Sequence, residues 1–373
     1  GRVALKLFSP EGTLLAVDLG SHSIKLARFK KSKAAGAKPD LEFIRRIEIN
    51  QQEIPVDEEA RKSYLMHLLR ADFGVSKIKG PLVALSISGS SVLVREVKLP
   101  ALHRSALRQT LAVEAEPYIP FDIQDVYLDY HIIEEIMDKG EKKYSVLLIA
   151  AKKDLVQNKL GLLSGVGARP AVVDVDSLSI ANLVALSPEI KGGSFVVCNI
   201  GASITSVVVL DKGIPRLMRD VAIGGGVFTR AMQKETGLPP DQAEQAKREM
   251  GLVFEEEQIK NLEAQGDPKK LQAAKAMVQA ATDLLSEVGK SMTFYLTHGV
   301  ESKINKVYIT GGGALLKNLP GFAAKQLKMP VEIFNPFSVI ALPPEAGVDA
   351  ALGPMFGVVC GLALRRWDDW ATG

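Results

Sequence analysis

A two-lobed α/β architecture is the fold class this sequence predicts, and three observations carry the prediction. Strand-like and helix-like patterns alternate through both halves of the chain. At 373 residues the chain exceeds one compact core, so two hydrophobic centres are expected. One short phrase is also written twice, once in each half. The first copy reads Val17-Asp18-Leu19-Gly20-Ser21-His22-Ser23-Ile24-Lys25-Leu26, the second Cys198-Asn199-Ile200-Gly201-Ala202-Ser203-Ile204-Thr205-Ser206-Val207. Each is an apolar strand, a carboxylate or amide, a glycine turn carrying small hydroxyl residues, and a second apolar strand.

The first lobe opens with the hairpin, residues 14–19 and 24–29, followed by a third strand at 41–49. Residues 61–73 read as an amphipathic helix, with Leu65, Leu68, Leu69 and Phe73 at helical spacing. Strands at 82–88 and 91–99 flank Gly89-Ser90. The texture then changes into a small unit that reads as an insertion: a helix at 105–118 ending at Pro120, a strand at 126–133, a charged turn at 138–143, a strand at 145–151 and a helix at 153–164. Residues 171–175 return to the first lobe, and a helix at 178–186 leads to the second. There the repeated hairpin occupies 195–200 and 205–210, a largely helical stretch spans 227–299 with a long helix from 269 to 298, and a strand at 306–310 runs into Gly311-Gly312-Gly313 and a helix. The uncharged run 350–364 is shorter than the roughly 20 residues that cross a bilayer. Its Gly353, Pro354, Gly357 and Gly361 predict a closely packed core helix that crosses back to the first lobe.

Composition narrows the function classes. The apolar fraction is 47%, and a formal charge of +3 with basic and acidic residues interspersed argues against a nucleic-acid footprint. Cys198 and Cys360 lie in apolar runs, as reduced buried thiols of a cytoplasmic protein do, and give no disulfide or zinc spacing. The basic apolar scrap at 2–8 is too short for a signal-peptide core. Gly289-Lys290-Ser291 imitates the end of a Walker A loop, but the required earlier glycine is Leu284 and the segment has helical period. No glycine cluster spells the dinucleotide fingerprint.

The hairpins carry the chemistry. Gly20 lets the backbone turn tightly, and the amides of Ser21 to Ser23 can form a small anion nest. Lys25 adds a cation, Asp18 sits where a hydrated magnesium ion is expected, and His22 is placed to contact phosphate. Gly311-Gly312-Gly313 and Gly224-Gly225-Gly226 are loops where backbone can approach a base or ribose closely. Two facing hairpins would grip a polyphosphate from both sides, so the expected ligand is a nucleotide held between related lobes.

The two hairpins, then Ala243-Glu244-Gln245-Ala246-Lys247, then Ile309-Thr310-Gly311-Gly312-Gly313-Ala314, resemble the actin-like ATPase superfamily, with its ribonuclease H-like two-lobed fold. Within it the chain resembles the PilM family of type IV pilus assembly. The segments 94–100, 114–122 with Tyr118, Pro120 and Phe121, 148–156 and 361–365 carry that likeness. The resemblance implies a division into subdomain 1A (10–98, 171–191 and 346–366), an FtsA-type inserted small subdomain 1C (99–170), 2A (192–226 and 302–345) and 2B (227–301). It implies ATP and Mg2+ as ligands. Asp18, Gly20, Ser21, His22, Ser23 and Lys25 would form the first phosphate loop, with Asp18 reaching the metal through water. Gly201, Ala202 and Ser203 would form the second, beside Gly225 and Gly226. Glu244 and Lys247 would flank the adenosine above Gly312, Gly313, Ala314 and Leu316. The implied partner is the cytoplasmic amino-terminal peptide of PilN, received beside subdomain 1C near Tyr118, Ile119 and Phe121. PilN and PilO would complete an inner-membrane platform that communicates with the pilus motor ATPases, with self-association open to the chain and its membrane attachment indirect.

One departure bears on catalysis. Asn199 stands where the family usually has aspartate, and an amide is a poor magnesium ligand and no anionic base. Slow or absent hydrolysis is expected. Asn182, on the helix before the second hairpin, is where relatives place the residue orienting the attacking water. Two other functions share this core. A small-molecule kinase needs a carboxylate base, for which neither hairpin offers a candidate. An FtsA-like division filament protein usually ends in a basic amphipathic helix, whereas Arg365-Arg366-Trp367-Asp368-Asp369-Trp370 is too short and, with two aspartates against two arginines, too acidic for that job.

Overall fold

The computed structural model describes residues 14–30, 38–75, 78–298 and 303–365. The expectations for 2–8 and for the carboxy-terminal residues after 365 lie outside them.

The duplicated phrase is a duplicated sheet. Strands β1 (Leu15–Leu19), β2 (Ser23–Phe29) and β3 (Leu41–Glu48) form an antiparallel meander, and helix α1 (Glu58–Val75) leads to β4 (Leu82–Ile87), parallel to β1. The chain then leaves the lobe for β5 (Val92–Pro100), α2 (Arg104–Ala115), β6 (Val126–Asp138) and β7 (Glu141–Lys152). It returns through α3 (Lys153–Gly165) to β8 (Arg169–Val175), parallel to β4, and α4 (Asp176–Val184). The second lobe repeats the plan. Strands β9 (Ser194–Ile200), β10 (Thr205–Asp211) and β11 (Ile214–Val221) form the meander, and α5 (Gly226–Thr236), α6 (Pro240–Met250), α7 (Glu256–Ala264) and α8 (Pro268–His298) follow. Then come β12 (Lys306–Thr310), parallel to β9, α9 (Leu319–Leu327), β13 (Val331–Ile333) and α10 (Gly357–Ala363). The sheet orders, β3-β2-β1-β4-β8 and β11-β10-β9-β12-β13, correspond strand for strand.

Every residue of β9 and β10 is buried, which explains their unbroken apolar sequences: a strand covered on both faces has no solvent side to alternate with. One core lies between the sheets. There α4, through Ile180, Ala181, Leu183 and Val184, meets α10, through Val359, Cys360 and Leu362. Gly357 and Gly361 bring the two backbones together; a Cβ on Gly361 would lie 1.9 Å from the Ser179 carbonyl oxygen.

Several expectations need correction. The run 350–364 is not one helix: Ala350–Phe356 is 3-10, because Pro354 has no amide to donate, and α10 begins only at Gly357. The inserted unit does not start at residue 99. β5 pairs along its whole length with β7, from Val92 opposite Ala151, so the strand belongs to a three-stranded sheet of order β5-β7-β6. Nor does the unit reach 170, since α3 puts Leu162 and Leu163 into the first-lobe core and β8 pairs from Arg169. The return to the first lobe likewise precedes 346, because Ala341 already pairs with Asp40. The expected charged turn is two strand ends closed by Lys139 and Gly140 at φ 51° and 85°. Cross-strand pairs such as Lys143–Asp138 and Lys142–Glu135 let charged residues continue the ladder. β11 was not expected at all, its Pro215, Arg216, Arg219 and Asp220 hiding the strand pattern. Among the described residues no helix is long and apolar enough to cross a membrane.

Candidate functional site

Both hairpins turn in the same way. A Cβ on Gly20 would lie 2.8 Å from the Ser23 carbonyl oxygen, and one on Gly201 would lie 2.8 Å from that of Ile204. Only glycine permits so close a backbone approach. The turns meet across the cleft between lobes: the Ser21 and Ser203 hydroxyls are hydrogen-bonded at 2.9 Å. The first turn is held from behind, where the Ile49 amide donates to the His22 carbonyl (3.0 Å) and Gln51 Nε2 to the Ser21 carbonyl (3.1 Å).

The second turn is held by the glycine cluster before α5. The amides of Gly225 and Gly226 donate to the carbonyls of Gly201 and Ala202 at 2.7 and 2.8 Å. Those two glycines therefore shape the loop, with both amides engaged by it. The third cluster closes the same space. A Cβ on Gly225 would lie 3.5 Å from the Gly313 Cα, and Gly311, at φ 83°, leaves only 2.5 Å between such an atom and the Ile200 carbonyl. Ala314 and Leu316 belong to the second-lobe core, so neither side chain faces the cleft.

Charge is concentrated where the turns meet. Asp18, buried at the end of β1, accepts from Lys25 Nζ at 2.9 Å. Asp176, in the first turn of α4, is the site carboxylate that sequence reasoning misses. Burial raises its pKa, neighbouring Asp18 raises it further, and Lys159 and the hydroxyls of Ser86 and Ser88 oppose the shift. The available signal was an acid in the first turn of a helix that follows a strand. Asn182, the residue expected there, is exposed and lies six residues further along α4, about 9 Å of helix rise. Asn199 is buried with its Oδ1 toward Gly311; a Cβ there would come within 2.7 Å of it.

On the far wall, Glu244 accepts from Thr229 (2.5 Å), Lys247 (2.5 Å) and Arg248 (2.8 Å), joining α5 to α6. Burial alone would raise the Glu244 pKa, but these donors outweigh it and bring it down to about 2. Lys247 is lowered by burial against the pull of Glu244. His22 reaches this wall from the first hairpin. Its pKa is lowered, chiefly by partial burial, with Glu244 pulling up and Lys247, Arg230 and Arg248 pushing down.

The expected partner residues divide. Ile119 is buried in the core of the β5–β7 unit. Tyr118 and Phe121 pack on that core half-buried, with Lys152 Nζ 5.2 Å from the Phe121 ring centroid.

Comparison with known proteins places this geometry. The family described as type IV pilus assembly protein PilM matches residues 16–367. A solved PilM-PilN type IV pilus biogenesis complex is similar in fold, with TM-score 0.78, 24% identity, and 95% of this chain and 98% of that chain covered. The ethanolamine utilization protein EutJ from Carboxydothermus hydrogenoformans is similar at TM-score 0.51 and 14% identity, covering 95% of this chain and 90% of its own. These likenesses identify the two corresponding lobes as an actin-like ATPase fold. With the family match running from β1 to beyond α10, the chain belongs to the PilM family of type IV pilus assembly proteins.

Proposed function

We propose that this chain is the nucleotide-holding component of the inner-membrane platform of type IV pilus assembly. It binds ATP between its lobes and the cytoplasmic amino-terminal peptide of PilN beside the β5–β7 unit. The observation that carries the reading is the meeting of two glycine turns at Ser21 and Ser203, in a chain of the PilM family. The residues fit the ligand: Lys25 offers a cation, and the single carboxylate of Asp18 suits Mg2+ carried in on phosphate oxygens. When bound, Mg2+ would neutralise phosphate charge; Asp18 would hold it through water. Attachment to the membrane, to PilO and to the motor ATPases would follow through PilN. Peptide titration followed by fluorescence anisotropy tests this, with a synthetic PilN amino-terminal peptide expected to bind and its affinity to change at least roughly fivefold with a non-hydrolysable ATP analogue. Failure of the peptide to bind removes the platform role.

His22 supplies an independent test of nucleotide contact. Its pKa is lowered, so the folded state loses stability as pH falls below the unfolded value of about 6.5. A polyphosphate beside the ring would raise that pKa, so binding would take up a proton. ATP affinity should therefore rise as pH falls from about 7 to about 6, and His22→Gln should flatten the slope. Equal slopes in both proteins would place His22 away from phosphate.

A further inference from the structure

The strand hidden in the sequence joins the nucleotide site to the β5–β7 unit. Met218 and Asp220 occupy alternate positions on β11, and Arg216 sits at a β-bulge opposite the Val209–Leu210 step. All three reach across to other parts of the molecule. Arg216 Nη1 donates to Glu96 on β5 and Nη2 to Glu134 on β6, each at 3.1 Å. Ser145, on β7 between them, donates to the same Glu96 oxygen at 2.5 Å, so the guanidinium bonds β5 and β6 directly and is linked to β7 through the shared Glu96 carboxylate. Met218 Sδ accepts from Ser177 on α4 at 3.4 Å, and Asp220 accepts from the Gly89 amide at 2.6 Å, in the turn that opens β5.

At its other end β11 runs into the glycine cluster that pins the second phosphate turn. Thr205, the first residue of β10, donates to the Ile223 carbonyl at 2.7 Å, and the Gly225 and Gly226 amides hold Gly201 and Ala202. β11 pairs with β10 on both sides of a β-bulge at Arg216, so a displacement of that turn is carried along the strand to the bulge that bears the guanidinium. The Arg216 side chain is only 12% exposed, so its charge cannot simply return to water when the lobes shift. Its Nε is buried without a hydrogen-bond partner, which leaves the guanidinium a second pairing to adopt.

We propose that β11 transmits the state of the second phosphate turn to the β5–β7 unit through Arg216, and thereby sets that unit's affinity for a partner peptide. This rests on the nucleotide and peptide reading above. The test compares wild type, Arg216→Gln and Glu134→Gln in fluorescence anisotropy with a synthetic PilN amino-terminal peptide, with and without AMPPNP. Wild type should change peptide affinity at least about fivefold on adding AMPPNP. Arg216→Gln should reduce that ratio below about twofold while keeping AMPPNP affinity within about twofold. Glu134, half-exposed, can lose its charge without threatening the fold, so Glu134→Gln decides the matter if Arg216→Gln is unstable; it should reduce the ratio in part. Wild-type ratios in both variants, or a wild type that binds both ligands without coupling, overturn the proposal alone. A wild type that does not bind the peptide sinks the platform reading and this proposal with it.

Discussion

Gly361→Ala should destabilise the protein by about 3 kcal/mol or more, although alanine is the better helix former by about 1 kcal/mol. The new Cβ would lie 1.9 Å from the Ser179 carbonyl oxygen and 2.5 Å from its carbon, and both belong to the backbone of α4. A backbone cannot rotate aside as a side chain can, so α10 would have to back away from α4 and open the core between the sheets. The control is the same substitution at Gly289 in α8, where no atom lies within 4 Å of the added carbon. Gly289→Ala should stabilise the protein by up to about 1 kcal/mol. Urea unfolding of the two variants therefore moves the midpoint in opposite directions; an unchanged midpoint for Gly361→Ala would mean that α4 and α10 are not in register as described.

Asp18→Asn should weaken Mg2+-dependent ATP binding by roughly tenfold to a hundredfold, the 1.5–3 kcal/mol of a hydrogen bond to a charged group. The amide keeps the shape of Asp18 but leaves Lys25, only 12% exposed, without its counter-ion, and the proposed water-held Mg2+ would lose the Asp18 charge. Asp176→Asn should behave differently. That carboxylate lies in the first turn of α4, and burial together with neighbouring Asp18 raises its pKa. Binding should survive its loss while any residual turnover disappears. Turnover in the wild type should itself be slow, since Asn199 puts an amide at the end of β9. Isothermal titration for binding and phosphate release for turnover separate these effects. Rapid turnover by the wild type, or undiminished binding by Asp18→Asn, would refute the assignment.

Both hairpins and their glycine turns were legible because each depends on residues near one another in the chain. A turn that only glycine can make, between apolar strands, announces itself locally. The β11 strand was illegible for the opposite reason. Its Arg216 and Asp220 are polar because they bond to Glu96, Glu134 and Gly89, residues distant in sequence, so its pattern has meaning only after the chain is folded. The burial of Ile119 was illegible in the same way: an aromatic and proline-rich helix end looks alike whether it closes a core or awaits a partner.

By itself, then, the sequence determined the two-lobed α/β plan, the duplicated glycine turns and the family, since periodicity and turn chemistry are short-range properties. Only the tertiary structure decided that Ser21 meets Ser203, that Gly225 and Gly226 spend their amides on the neighbouring loop, and that Asp176 stands beside Asp18 in place of Asn182. Each of these is a contact between segments far apart along the chain, and hydrophobic burial, which brings such segments together, is non-directional and leaves no local signature of which polar groups will meet.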